Sequence, residues 1–228
     1  MNIVKLTAKS IGKRGIASTA IVAGNFLMDM MFDWRHRTDT MRWIERDALG
    51  VQSENLLHSH QYKATKTRPL LKLLRKLELP KDSNFVDIGA GKGRVLFIAS
   101  QYGFRKVIGI EFSSALCELT RKNIESFVPK KLLISPIEVV EADAARYCFE
   151  PADRVFFMFN PFDACLLAQV LGNIRSSLSA HPRQAWLIYN DPQHDAVIRE
   201  AGIFGPGEAH IVGGTHFRVY SNGGKAVA

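Results

Sequence analysis

The segment Asp87-Ile88-Gly89-Ala90-Gly91-Lys92-Gly93-Arg94 follows the apolar run that opens at Asn84 and puts an acid ahead of three glycines at alternate positions. Glycines at this spacing remove side chains where the backbone must pass close to a ligand. Two phosphate-binding patterns fail on spacing. A G-x-G-x-x-G dinucleotide fingerprint counted from Gly89 needs a glycine where Arg94 stands, and no G-x-x-x-x-G-K-[ST] run is present. An acid before the loop suits a cationic ligand better than a phosphate. A sulfonium with an amino-acid tail fits that description. Lys92 and Arg94 then read as residues on the face of the following helix, with no assigned role.

The elements that must position this loop alternate along the chain. Short apolar runs at 84–89, 106–112, 137–143, 154–162 and 184–191 read as buried strands, and helical segments follow at 92–102, 113–127, 163–179 and 193–201. Ser113 is placed to cap the second of these helices. Two late strands, 209–214 and 215–221, are joined through the Gly213–Gly214 pair as a hairpin. Upstream, Leu70, Leu73, Leu74 and Leu77 recur at helical spacing, with Pro69 in the first turn and Pro80 as a stop. Strand–helix alternation predicts an α/β fold: a mostly parallel sheet with helices on both faces, and ligands at the C-terminal strand ends. Residues 1–60 form an N-terminal helical or lid segment ahead of a Rossmann-like domain at 61–228. Within it, 5–32 read as a helix and 33–61 as mixed and polar, with a short helix around 39–48.

Acids recur at the ends of successive strands. Asp87 ends the first, Glu111 the second and Asp143 the third, and Asn160-Pro161-Phe162 closes the fourth. Taken with the glycine loop, this order resembles the class I S-adenosylmethionine-dependent methyltransferases over roughly residues 60–220. The resemblance implies a seven-strand Rossmann-like sheet and S-adenosyl-L-methionine as cofactor. It implies that Gly89, Gly91 and Gly93 wrap the methionine part and that Asp87 is tied to its amino group. It further implies that Glu111 takes the ribose hydroxyls, that Phe112 lies near adenine and that Asp143 meets the adenine amino group. The segment from His60 to Leu74 is similar to a Tyr-x-Pro-Thr stretch in a subgroup. That subgroup holds archaeal and non-SET protein-lysine methyltransferases and uncharacterised bacterial relatives. Tyr62 and Thr65 match it and would close over the methionine end, whereas Ala64 replaces the proline.

The acceptor side is expected at Asn160, Pro161 and Phe162. An amine acceptor must arrive neutral, and the side-chain oxygen of Asn160 could accept a hydrogen bond from it. In the family, Asn-Pro-Pro-aromatic sequences at this position go with planar or amide nitrogens; here a single proline stands. Tyr189, Asn190, Asp191 and His194 follow the fifth strand, and transfer to oxygen would need a base such as His194 or Asp191. The leading expectation is methyl transfer to nitrogen, with a protein lysine favoured. The alternatives are a small-molecule N- or O-methyltransferase and a non-catalytic methyltransferase-like binding module. A nicotinamide oxidoreductase is disfavoured by Arg94.

Charge is uneven. Residues 1–81 carry 15 Lys and Arg against 7 Asp and Glu, whereas 82–228 carry 15 of each, so the whole net charge of +8 lies in the first third. Either a solvated basic face or a surface for an acidic partner, anionic lipid or nucleic acid follows. Lys5, Lys9, Lys13 and Arg14 precede the apolar run 15–32, which contains Asn25 and Asp29 and lacks a persuasive cleavage site. A helix packed on the domain is expected, with docking of 1–32 to a membrane surface as the alternative. Cys117, Cys148 and Cys165 are few, odd in number and widely spaced, which favours a reducing, cytoplasmic setting over a disulfide framework. No metal is expected: there is no Cys-x-x-Cys pair, and His58 and His60 lack a third ligand.

Overall fold

The computed structural model describes residues 3–42, 64–160 and 162–223, with side chains from residue 15 onward. Seven strands form one sheet: β1 (Asn84–Ile88), β2 (Lys106–Glu111), β3 (Ile137–Glu141), β4 (Asp153–Phe159), β5 (Trp186–Asn190), β6 (Glu208–Val212) and β7 (Thr215–Ser221). The order is β3-β2-β1-β4-β5-β7-β6. β1 to β5 run parallel, while β7 is antiparallel to both β5 and β6. The expected hairpin is present: Gly213 and Gly214 turn the chain at φ 54° and 73°.

The central strands are apolar on both faces, and the period-2 geometry divides their side chains between two cores. Val86, Ile88, Ile110, Phe156, Met158 and Leu187 face α5 (Ala164–Ala180), which buries Leu167, Val170, Leu171 and Ile174 against them. Phe85, Val107, Val155, Phe157 and Ile188 face α2 (Thr67–Leu77) and α3 (Arg94–Tyr102). The four leucines expected on one helical face are all buried in α2. α4 (Ser114–Ser126) begins at Ser113, whose hydroxyl accepts from Leu116 N at 3.4 Å, as the sequence predicts. Gly109 lets α3 approach β2, because a Cβ there would meet Leu96 at 2.7 Å and Ala90 at 2.9 Å. α6 (Asp195–Glu200) follows β5.

The N-terminal helix α1 runs Ile3–His36, longer than the expected 5–32, with a break at Gly15. Residues 39–42 leave the helix and bend; the remainder of the short helix expected around 39–48 lies outside the described residues. Lys92 and Arg94, read from the sequence as helix-face residues with no assigned role, are almost completely buried, at 1% and 2% exposure. They are covered by α1 and the bend after it, as detailed below. The burial is tolerable because acids from that segment accompany the charges inward.

Candidate functional site

The parallel strands β1 and β4 neighbour each other although β2 and β3 intervene in sequence, so the topological switch point lies at their C-terminal ends. There β1 runs into the glycine loop. Gly89 N and Ala90 N donate to Ile110 O at 2.9 and 3.0 Å, tying the loop to β2. Gly89, Gly91 and Gly93 all have positive φ. Gly93 is doubly constrained: at φ 84° a Cβ would also lie 2.6 Å from Thr120 Cγ2. Thr120 holds the loop from α4, its hydroxyl donating to Gly91 O at 2.7 Å.

Two carboxylates lie beneath the loop. Glu111 is buried, with Oε2 accepting from Gly91 N at 2.9 Å and Oε1 from Ser113 N at 3.0 Å. Burial raises its pKa, and these backbone N–H groups oppose the rise. A carboxylate has about four acceptor directions, so ribose hydroxyls can share oxygens that already hold backbone donors. Asp87 is also buried, and its Oδ2 has no hydrogen-bond partner. Burial, then the charge of Glu111, pushes its pKa well above the usual carboxylate range. An acid in that state lacks a cation.

Asp143 N-caps the short turn 144–146, its Oδ1 accepting from Ala145 N at 2.9 Å. A narrow crevice of about 20 Å³ is lined by Gly89, Phe112, Asp143 and Phe162. Phe162 therefore sits with the residues expected around adenine, although the sequence reading grouped it with Asn160 on the acceptor side. Its side chain reaches back under the end of β4 into the core that α5 covers.

Asn160 ends β4 with φ 40°, a left-handed conformation that Asn tolerates better than most residues. It is buried, and Tyr189 OH donates to its Oδ1 at 2.7 Å. Burial pushes the Tyr189 hydroxyl up to about 12, so it stays a protonated donor. His194 reaches Tyr189 through its backbone, N to OH at 3.4 Å. A cavity of about 350 Å³ has walls that include Phe159, the residue before Asn160, together with Val22, Asn25, Lys66, Asn190, Asp191 and His216. Asn190 is buried and its Nδ2 has no partner. Thr65 is buried between two residues of that wall, Ala64 and Lys66. Tyr62, Pro161, His58 and His60 lie outside the described residues. Among the described residues, no cluster of three or more His, Cys, Asp or Glu side chains could hold a metal.

The residues that sequence reasoning missed join α1 to the glycine loop. Arg94 opens α3 and reaches into α1. Its Nε donates to Thr40 Oγ1 at 2.7 Å, and its terminal nitrogens lie 3.3 Å from Asp29 and from Asp33. The Asp29 contact lacks hydrogen-bond alignment, because Nη1 has no hydrogen-bond partner. Asp29 also accepts from Thr67 N at 3.0 Å and pairs with Lys66 at 3.1 Å, so it ties the start of α2 to the same point. Lys92 donates to Arg42 O at 2.8 Å, and Asn123 spans Asp39 and Lys92 O. The available signal was Asp29 and Asp33 at i and i+4 in an otherwise apolar helix, with two unassigned cations just past the loop.

Comparison with known proteins agrees with this geometry. The family model described as histone methylation protein DOT1 matches residues 51–141, a span that includes the glycine loop and Glu111. A SAM-dependent methyltransferase from Aquifex aeolicus is 18% identical, with a TM-score of 0.51 over 66% of this chain and 87% of that one. The chain has the fold of the class I methyltransferases. A putative S-adenosyl-L-methionine-dependent methyltransferase from Methanococcus maripaludis superposes at TM-score 0.53, with 13% identity, 71% of this chain and 88% of that one covered. A tRNA methyltransferase from Aquifex aeolicus gives 0.54, at 14% identity over 72% of each chain. At these identities the solved structures establish the fold alone. No protein of curated function matches the chain in sequence. The chain's own residues fit S-adenosylmethionine: the orphaned carboxylate oxygen of Asp87 suits that molecule's ammonium group.

Proposed function

We propose that this methyltransferase transfers a methyl group to a nitrogen acceptor, with a protein lysine as the favoured class. The observation that carries the reading is Asn160, held in a left-handed turn at the end of β4 with its oxygen anchored by Tyr189. The family-model match to a histone methylation protein supports a protein substrate.

The bound cofactor supplies an electrophilic methyl on a sulfonium. Asp87 would hold its ammonium, Glu111 its ribose hydroxyls, and Phe112, Asp143 and Phe162 its adenine. The remaining work belongs to the acceptor side. In-line displacement is governed by alignment. The carbonyl oxygen of Asn160 has two lone pairs; Tyr189 occupies one, and the other can accept an N–H from a neutral amine. That contact points the nitrogen lone pair away from Asn160. Desolvation at the buried Asn160 favours the neutral amine over the ammonium. Asn190, with its unpartnered amide nitrogen in the cavity wall, suits a carbonyl of the acceptor backbone.

The test uses methyl-labelled cofactor with the purified protein and a protein extract of the source cells. Acid hydrolysis should release methylated lysine, and Asn160→Ala should abolish it while cofactor binding by calorimetry persists. Label confined to small molecules would overturn the protein-lysine reading.

A further inference from the structure

Helix α1 is amphipathic in the reverse of the usual sense. The strip it turns toward the domain is mostly polar: Asn25, Asp29, Phe32, Asp33 and His36. Asn25 donates to Gly213 O at 2.8 Å, the two acids meet Arg94, and His36 Nδ1 is 2.7 Å from Val128 O. The surface it turns to solvent is apolar. Ile16, Phe26, Leu27, Met30, Met31 and Trp34 are all exposed, Trp34 at 83%. A soluble surface helix shows the opposite arrangement. The exposed apolar positions are not confined to one stripe but occupy nearly every turn outside the polar strip, so a single helix–helix seam would leave much of that surface wet.

Length, composition and charge indicate what covers it. Gly15–His36 has 22 residues, with a mean hydropathy of 1.4 in its most apolar window, and is long and apolar enough to cross a membrane. In sequence, Lys5, Lys9, Lys13 and Arg14 precede it and Arg35 and Arg37 end it, while Asp29 and Asp33 are offset by Lys66 and Arg94. In sequence the charge is therefore positive on both sides of an apolar stretch, which complements anionic lipid headgroups. Spanning the bilayer would strip Asp29 and Asp33 from Arg94 and carry them into hydrocarbon, and would leave Arg94 buried without a counter-charge. Those ion pairs instead require the helix to lie in the plane of the membrane, with the domain on its polar side.

We infer that α1 seats the methyltransferase on an anionic bilayer, with Phe26, Met30 and Trp34 among the residues that enter the lipid. Val22 and Asn25 belong to this helix and also wall the cavity lined by Phe159 and Asn190, so an acceptor entering there does so next to the bilayer surface. That last step rests on the proposed acceptor site; the docking itself does not.

The experiment uses the full chain with phosphatidylcholine vesicles, with and without phosphatidylglycerol. The protein floats with the anionic vesicles, and its association is weaker by about tenfold or more on pure phosphatidylcholine. Trp34 fluorescence shifts to the blue on binding, a change absent in Trp34→Phe. Phe26→Glu/Met30→Glu loses flotation, while calorimetric binding of S-adenosylmethionine shows that the variant is folded. Failure of the wild type to float with either vesicle overturns the inference, as does flotation unaffected by the double substitution. A dimer by light scattering that the double substitution converts to monomer overturns it too, since a second copy would then cover the face. Methyl transfer is not measured, so this outcome is separate from that of the acceptor assay.

Discussion

Asp87 is more useful to the bound protein than to the free one. Its carboxyl is buried with an unpartnered oxygen, and burial with nearby Glu111 raises its pKa. The folded value lies above the unfolded one, so its contribution to stability is full below the unfolded carboxylate range and is lost as pH rises through the folded value. A bound ammonium reverses that preference. Cofactor binding therefore releases a proton and tightens as pH rises across the same interval, which calorimetry in buffers of different ionisation enthalpy can read. Asp87→Asn removes both effects. The melting temperature of the free protein at pH 8 should rise by roughly 2–4 °C, while cofactor affinity falls about 10- to 100-fold. On the acceptor side, Tyr189→Phe deletes the donor that fixes Asn160. Turnover should drop about tenfold with cofactor affinity unchanged, because a buried hydrogen bond of this kind is worth about 1–3 kcal/mol. At this scale the sequence announced the acids but not their surroundings. Glu111 and Asp143 were legible as strand-end acids; that Gly91 and Ser113 already hold the first, and Ala145 the second, depends on loop geometry that spacing does not encode.

Elements carry a different lesson. The strands were readable because β1, β2, β4 and β5 are buried on both faces and so appear as near-continuous apolar runs. The α2 stripe was readable because four leucines recur at one helical face. The N-terminal helix misled for a physical reason: its buried strip is polar, so hydrophobic periodicity points to the wrong face. The same inversion hid Lys92 and Arg94, whose burial depends on acids about 60 residues earlier. The joint between α1 and α3 should behave as a buried charge cluster. Arg94→Met leaves Asp33 without its cation and Asp29 with Lys66 alone, and should cost about 3–5 kcal/mol in urea unfolding. Adding Asp29→Asn and Asp33→Asn to that variant should recover most of the loss. Gly93→Ala, one residue away, combines a positive φ with a clash at Thr120 and should destabilise by about 1–3 kcal/mol.

Over the whole molecule, the positive charge lies in the first third, while residues 82–228, which hold the sheet, are electrically balanced. The sequence disclosed that asymmetry but not the outward apolar surface beside it, which appears only when α1 packs by its polar strip. Saturating S-adenosylmethionine at about 100 times its dissociation constant should stabilise the protein by about 2.7 kcal/mol, or roughly 5–10 °C in melting temperature. Asp87→Asn should lose most of that gain. One joint gives the molecule a further property. Arg94 is both the first residue after the glycine loop and the anchor of α1, so a single guanidinium is shared by the part proposed to grip the cofactor and the part proposed to meet lipid. Two binding events that meet at one joint are subject to reciprocity. Whatever factor the cofactor imposes on affinity for a vesicle, the vesicle imposes on affinity for the cofactor. Measuring either one at saturation of the other gives the size of that exchange, and Arg94 is where a substitution should bring the factor to one.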